Sequence, residues 1–286
     1  MLGLGLIGGS VVRALQSREP GAWSVVAWTP DGKGPGLAAM DGLLDEAVTD
    51  PMAAVDGAEL IVLAAPPLAA IALLDDLAGP WRSRLAPGAV ITDVASTKSA
   101  IVLRATALGL PFVGGHPMAG RETSGFASAT ADLFVDRPCV VVPGPDVAAV
   151  ERVEALARAV GARPVRLGAA DHDAAVAGIS HLPLIVSAAL VEAVAGGPDG
   201  PASDWPTTAT LAASGWRDAT RLARGDVTMG TDIALTNAPA IAARLEALRR
   251  VLDAWSAALE RPGGPDRAAI EAHLATARDR LGGPVT

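Results

Sequence analysis

Up to Gly168 the chain alternates short, nearly continuous apolar runs with longer stretches of helical spacing. Residues 24–28, 59–64, 89–93, 111–113 and 139–142 are runs of this kind, bounded by Gly, Pro or Asp. Apolar runs without strict alternation fit strands buried on both faces, which is what a parallel sheet covered by helices requires. The alternation therefore predicts an α/β fold with a doubly wound parallel sheet. Residues 147–160 read as a helix, with Asp146 as its N-cap and Gly161 as its stop, and residues 164–167 as a last strand.

Beyond Gly168 the strand signal ends. Residues 172–195 form a long apolar helical stretch in which Pro183 predicts a kink. The Gly-, Pro- and Asp-rich segment 196–206 reads as a loop. Asn237 is placed to cap a helix whose Ile241, Leu245, Leu248, Leu252, Trp255 and Leu259 recur at three- and four-residue spacing. Residues 266–281 read as the final helix. The expected division is a nucleotide-binding domain over 1–168 and an all-helical domain, suited to a dimer interface, over 169–286.

Composition narrows the classes. The 286 residues are 50% apolar and 19% charged, which excludes wholesale disorder. A net charge of −8 argues against a nucleic-acid or anionic-membrane surface. It leaves room for an anionic small-molecule substrate held by a local cluster of arginines. No basic segment leads into an apolar, signal-like stretch at the N-terminus. No apolar run is expected to reach the ~18–20 uncharged residues of a membrane span. The single cysteine, Cys139, fits a reducing compartment, so a cytoplasmic location is expected.

The first chemical signal is Gly3-Leu4-Gly5-Leu6-Ile7-Gly8, a G-x-G-x-x-G run opening into helical sequence. In such a run the first glycine makes the tight turn and the second lets backbone approach a pyrophosphate. The third lets helix and strand pack closely, and the helix N-terminus presents free N–H groups to the phosphates. Only Met1 and Leu2 precede it, so the central strand is expected to be missing or truncated, with a loss of stability. The second strand ends Trp28-Thr29-Pro30-Asp31-Gly32-Lys33. Thr29 stands where an acidic residue usually receives the ribose hydroxyl, and Asp31 follows two positions later. NAD is the expected cofactor, and NADP stays open because Lys33 could meet a 2′-phosphate.

Three further clusters carry chemistry. Asp93-Val94-Ala95-Ser96-Thr97-Lys98 ends a buried strand at the sheet edge where such folds bind ligands, and Asp93 is counted with the cofactor-binding residues. Gly114-Gly115-His116-Pro117-Met118-Ala119-Gly120-Arg121-Glu122-Thr123-Ser124-Gly125 places a histidine between Gly and Pro, in what reads as a loop suited to acid–base work. Trp216-Arg217-Asp218-Ala219-Thr220-Arg221 offers two guanidiniums able to take a carboxylate. No Cys/His/carboxylate group has metal-ligand spacing, so no metal is expected.

With Ile179-Ser180-His181-Leu182-Pro183, these clusters resemble the prephenate dehydrogenase family in order and spacing along nearly the whole chain. The run from His116 to Gly125 is its most specific feature. The resemblance implies a Rossmann-type domain, a helical dimerisation domain, and a site between them. The implied activity is NAD(P)-dependent oxidative decarboxylation of prephenate to 4-hydroxyphenylpyruvate, in tyrosine biosynthesis. The alternatives are arogenate as substrate or a non-catalytic nicotinamide-binding regulator. Carried onto this chain, the resemblance makes His116 the catalytic base and Ser96 its supporting hydroxyl. Arg221 becomes the substrate-carboxylate ligand, with Arg217 beside it, while Glu122 and His181 line the pocket. Gly3, Gly5, Leu6, Ile7, Gly8, Thr29, Ala65 and Pro66 fall on the cofactor side.

Where the family often reads Met-Trp-Arg-Asp-Ile, this chain has Met229-Gly230-Thr231-Asp232-Ile233, a change expected near the substrate side chain. The chain leaves no room for a regulatory domain, and feedback inhibition by tyrosine is not legible in it. The remaining histidines read plainly. His172, between Asp171 and Asp173, is expected to be a solvated helix cap without a chemical role, and His273 to lie on the surface.

Overall fold

The computed structural model describes residues 1–121 and 123–282. Packing divides the chain into Met1–Ala238 and Pro239–Thr286. The first unit contains strands β1 (Val26–Ala27), β2 (Glu46–Ala47), β3 (Leu60–Leu63), β4 (Val90–Asp93), β5 (Phe112–Val113), β6 (Gly115–Pro117), β7 (Pro138–Val141) and β8 (Arg163–Arg166). β1 and β2 pair in parallel, as do β3, β4 and β5 in that order.

Leu2 joins these two groups by bridging Trp28 on one side and Leu63 on the other. The Leu2 N–H donates to Val62 O at 2.9 Å and Ala64 N–H to Leu2 O at 2.7 Å. Across the other edge, Gly3 N–H donates to Trp28 O at 2.9 Å and Trp28 N–H to Met1 O at 3.0 Å. The centre of the sheet is therefore occupied by a stub of strand, Met1–Gly3, where a missing or truncated strand was expected. The resulting order, β2-β1-Leu2-β3-β4-β5, is doubly wound about its centre. The Met1 amino group donates to Val26 O at 2.8 Å, and burial lowers its pKa to about 5.

Aliphatic side chains explain why the sheet holds. Leu2, Ile61, Leu63, Leu74, Leu77, Ile91 and Ile101 form one buried cluster, and Val11, Leu15, Phe134, Leu156 and Val160 another. Burying a Val, Leu, Ile or Phe side chain is worth ~1.5–3 kcal/mol, so these strands can be short and still be fixed. Asp146 caps helix Val147–Ala159 by accepting from Ala149 N–H at 3.1 Å.

β6 was not expected. It runs antiparallel to β7, with His116 opposite Val140, and β7 pairs in parallel with β8. The flanking Gly and Pro disguise it as a loop, yet Pro117 lacks only an N–H and can still end a strand.

Residues 169–195 are helical throughout, as Ala169–Val176, a π-helical turn Ala177–His181, and Leu182–Ala195. Pro183 has no N–H for the preceding turn, and the widened turn absorbs that loss without a break. This helix, Ala169–Ala195, is long and apolar enough to cross a membrane by length and composition. That corrects the expectation that no run reaches that length. It was missed because polar but uncharged Ser180, His181 and Ser187 interrupt it.

In the second unit Asp266 caps helix Arg267–Arg280 and pairs with Arg261 at 2.7 Å. His273 is half-buried on that helix and stacks on Trp255 at 5.0 Å between ring centroids.

Candidate active site

The glycine run sits at the carboxyl edge of the sheet, and its three glycines differ physically. Gly3 has φ +101°, and a Cβ there would meet Ala64 O at 2.2 Å. A Cβ on Gly8 would meet Gly3 O at 2.5 Å and the Ala64 methyl at 2.9 Å. Both are fixed by the fold itself. Gly5 has nothing within 4 Å of where its Cβ would stand, so its lack of a side chain keeps open a space that the protein does not fill. Helix Leu6–Arg18 starts there, and its first N–H groups, from Leu6, Ile7 and Gly8, face outward as an anion cradle. These features fit the pyrophosphate of a dinucleotide.

Thr29 and Asp31 lie at the end of β1. Asp31 accepts from Thr29 Oγ1 and Lys33 N–H, each at 3.2 Å, and its carboxylate is 3.7 Å from Lys33 Nζ. Ala65 and Pro66 follow β3 and lead into helix Pro67–Ala78. The first free N–H of that helix, from Leu68, donates to Asp232 at 3.0 Å. Asp232 belongs to the Met229–Ile233 run, so the retained acid of that run ties its own helix, Val227–Thr236, to the helix that follows β3.

Asp93 ends β4 but turns inward. Its carboxylate is fully buried, pairs with Lys98 Nζ, and accepts from Ala95 N–H at 3.1 Å and Gly115 N–H at 3.0 Å. The expectation that it binds cofactor is corrected: every oxygen is already engaged by the protein. Lys98 Nζ also donates to Gly115 O at 2.7 Å. Burial lowers the Lys98 pKa, against the opposing pull of Asp93. Together the pair locks the 93–98 loop, which carries Ser96, onto β6, which carries His116. The Ser96 hydroxyl is buried and unpartnered among the described residues. Such a group is costly unless something binds it, and its loop leaves the same sheet edge as the glycine cradle.

His116 Nδ1 lies 2.8 Å from His172 Nε2, and His172 Nδ1 lies 2.8 Å from Asp173 Oδ1. His172 is 1% exposed, so the expected solvated cap is instead a buried neighbour of the candidate base. The Asp173 carboxylate also accepts from Lys98 N–H and Ser99 N–H, both at 2.8 Å. Burial opposes its ionisation, but the hydrogen bonds from His172, Ser99 and Lys98 prevail and lower its pKa. Burial pushes the His116 pKa well below the usual histidine value, helped by the Lys98 charge and opposed by Asp173. His116 is therefore neutral at pH 7 and able to receive a proton.

His181, in the π-helical turn, accepts at Nδ1 from Asn237 Nδ2 at 3.0 Å, and the same amide donates to Asp173 O at 2.9 Å. Its Nε2 is buried and unpartnered among the described residues. Burial lowers its pKa to about 4, against opposing effects of Asp173 and the Ser96 backbone. Asn237, expected only as a helix cap, thus reaches into the site.

Hydrogen bonds link His116 and His181 through His172, Asp173 and Asn237, which sequence patterns did not assign to the site. Arg217 and Arg221 are exposed, on helix Ser214–Ala219 and the turn after it. The following turn is anchored where Ala223 N–H donates to Ser187 Oγ at 3.0 Å, on the helix that also presents His181. Glu122 lies outside the described residues. Among the described residues no group of His, Cys, Asp and Glu could hold a metal ion.

Residues 15–166 match the family model of the prephenate dehydrogenase nucleotide-binding domain, and residues 168–271 match the prephenate dehydrogenase dimerization domain. A prephenate dehydrogenase of Bacillus subtilis is 34% identical over 260 residues, 88% of this chain and 67% of its own length. The structure of Synechocystis arogenate dehydrogenase superposes with TM-score 0.77 at 33% identity, covering 98% of each chain. That of Aquifex aeolicus prephenate dehydrogenase, in complex with hydroxyphenyl propionate and NAD+, gives TM-score 0.84 at 23% identity, covering 98% of this chain and 96% of that one. On these grounds the chain belongs to the prephenate dehydrogenase family.

Proposed function

We infer that this enzyme oxidises and decarboxylates prephenate to 4-hydroxyphenylpyruvate, with NAD as hydride acceptor. The observation that carries this reading is the neutral His116 on a strand that Asp93 and Lys98 brace against the loop carrying the orphaned Ser96 hydroxyl, a loop that leaves the same sheet edge as the cradle around Gly5. A base and a hydroxyl so placed suit a ring carbinol next to a nicotinamide. When bound, the dinucleotide supplies a two-electron acceptor for the hydride leaving the carbinol carbon. The first-turn amides of Leu6, Ile7 and Gly8 hold its pyrophosphate, Thr29 its ribose edge, and Ala65 and Pro66 its flank. Lys33 is already paired with Asp31, which favours NAD over NADP.

His116 takes the carbinol proton at Nε2 as hydride departs, and Ser96 Oγ orients the same hydroxyl. Loss of the ring carboxylate as CO2 then aromatises the ring. Arg221 grips a substrate carboxylate, with Arg217 beside it, while Glu122 and His181 shape the pocket. Cofactor binding lies within residues 1–168, and the helical region from 169 onward contributes substrate contacts and pairs with a second copy. Ile179, Leu211 and Leu235 are exposed apolar side chains on that region, and the dimerization-domain match covers them. A homodimer in the cytoplasm, acting on a small molecule and not on nucleic acid or a membrane, completes the reading.

A second reading, arogenate as substrate, draws on the likeness to the Synechocystis enzyme. Steady-state turnover with each substrate separates the two. Sedimentation of the purified protein at micromolar concentration tests the dimer.

A further inference from the structure

His172 and Asp173 have no place in the reading above, yet they contact its central residue. We propose that His172 is a positioning residue, which, anchored by Asp173, holds His116 in the tautomer that leaves Nε2 bare as the catalytic base. The proposal rests on His116 being that base.

The tautomer follows by elimination along the chain of hydrogen bonds. Asp173 Oδ1 lies on both Lys98 N–H and His172 Nδ1, each at 2.8 Å. An ionised carboxylate only accepts, so the proton between Asp173 and His172 sits on His172 Nδ1. With Nδ1 as its one protonated nitrogen, His172 can only accept at Nε2. The contact at 2.8 Å with His116 therefore requires His116 Nδ1 to donate. His116 is then unprotonated at Nε2, which takes no hydrogen bond among the described residues.

The anchor is rigid. The two Asp173 oxygens are held by the Lys98 and Ser99 amides, ahead of helix Ser99–Ala107, and the Asp173 carbonyl by Asn237. His172 is buried and its ring meets that of His116 edge-on at 75°, centroids 5.1 Å apart. The arrangement also bears on the charge formed in the reaction. When His116 gains the proton it becomes a cation in a site where burial and Lys98 disfavour one. Asp173 is the one group acting in the opposite direction there, and His172 is the hydrogen-bonded path to it.

The test compares His172→Leu, His172→Gln and His116→Asn in the full chain with prephenate and NAD. In His172→Leu, kcat falls ~10²-fold, as expected when a base loses its orientation, while the dissociation constant of NAD is unchanged. The acid limb of the kcat/KM profile moves to lower pH, because the imidazolium loses its acceptor. His172→Gln, whose carbonyl can accept near the old Nε2 position, recovers kcat to within ~10-fold of the parent. If His172→Leu leaves both kcat and the acid limb unmoved while His116→Asn is inactive, the positioning role is wrong and His116 remains the base. If His116→Asn turns over normally, the underlying reading fails instead. Nitrogen-15 shifts of the four histidines in the unaltered protein decide the tautomer without any variant. A protonated Nδ1 and bare Nε2 on His116 are expected, and the reverse would overturn the proposal.

Discussion

Lys98 and Asp93 form a fully buried ion pair that clamps the loop carrying Ser96 onto the strand carrying His116, through Gly115 on both its N–H and its carbonyl. Breaking a buried pair by removing one partner strands the other charge and costs ~3–5 kcal/mol. Lys98→Met should therefore lower the unfolding free energy by that amount, measured by urea denaturation. Adding Asp93→Asn should recover part of the loss. If Lys98→Met is as stable as the parent, the clamp has no structural weight.

The glycine run separates folding from binding. Gly5→Ala places a methyl where the protein has no atom within 4 Å, so its melting temperature should match the parent. Its NAD dissociation constant should rise at least ~10-fold, since the methyl enters the space left for pyrophosphate. Gly8→Ala drives a methyl against Gly3 O and Ala64, and should destabilise by ~1–3 kcal/mol through overpacking. Calorimetry beside cofactor titration distinguishes the two, and equal affinity in Gly5→Ala would remove that cradle from the cofactor site.

Much of this was legible in the sequence because it is local. G-x-G-x-x-G fixes a turn and a helix start by spacing alone, and Asp146 caps its helix three residues away. The role of His172 was not legible, because it depends on a contact with a residue 56 positions distant. Its flanking aspartates suggested solvent, whereas one of them is the buried anchor. β6 was hidden by its own Gly and Pro. Asp93 was misassigned for a related reason: a residue's place at the sheet edge says where its backbone ends, not which way its carboxylate turns.

Stability should depend on pH through the buried histidines. His181 titrates at about 4 when folded and near 6.5 when unfolded, and the His116 pKa is likewise lowered. Between those values the unfolded chain binds more protons, so stability rises with pH across that window and levels off above it. From pH 7 to pH 5, His181 alone should remove about 2 kcal/mol of unfolding free energy. The Asp173 carboxylate, with its pKa lowered, adds a further loss as pH falls below the usual carboxylate range. Denaturation midpoints at both pH values test this, and a flat response would contradict the neutral burial of these rings.

Arg221 should reveal itself in KM. Losing a charged hydrogen bond to a substrate carboxylate costs ~1.5–3 kcal/mol, so Arg221→Ala should raise the prephenate KM by about 10- to 100-fold, with kcat changed little. An unchanged KM would place the substrate carboxylate elsewhere.

The most direct measurement is nicotinamide reduction by the purified protein, with prephenate and arogenate each offered with NAD and NADP, alongside His116→Asn. Turnover with prephenate and NAD, lost by ~10²–10⁴ in the variant while NAD affinity holds, is the predicted result. Folded protein that reduces no nicotinamide with any pair, or a His116→Asn variant as active as the parent, would contradict it.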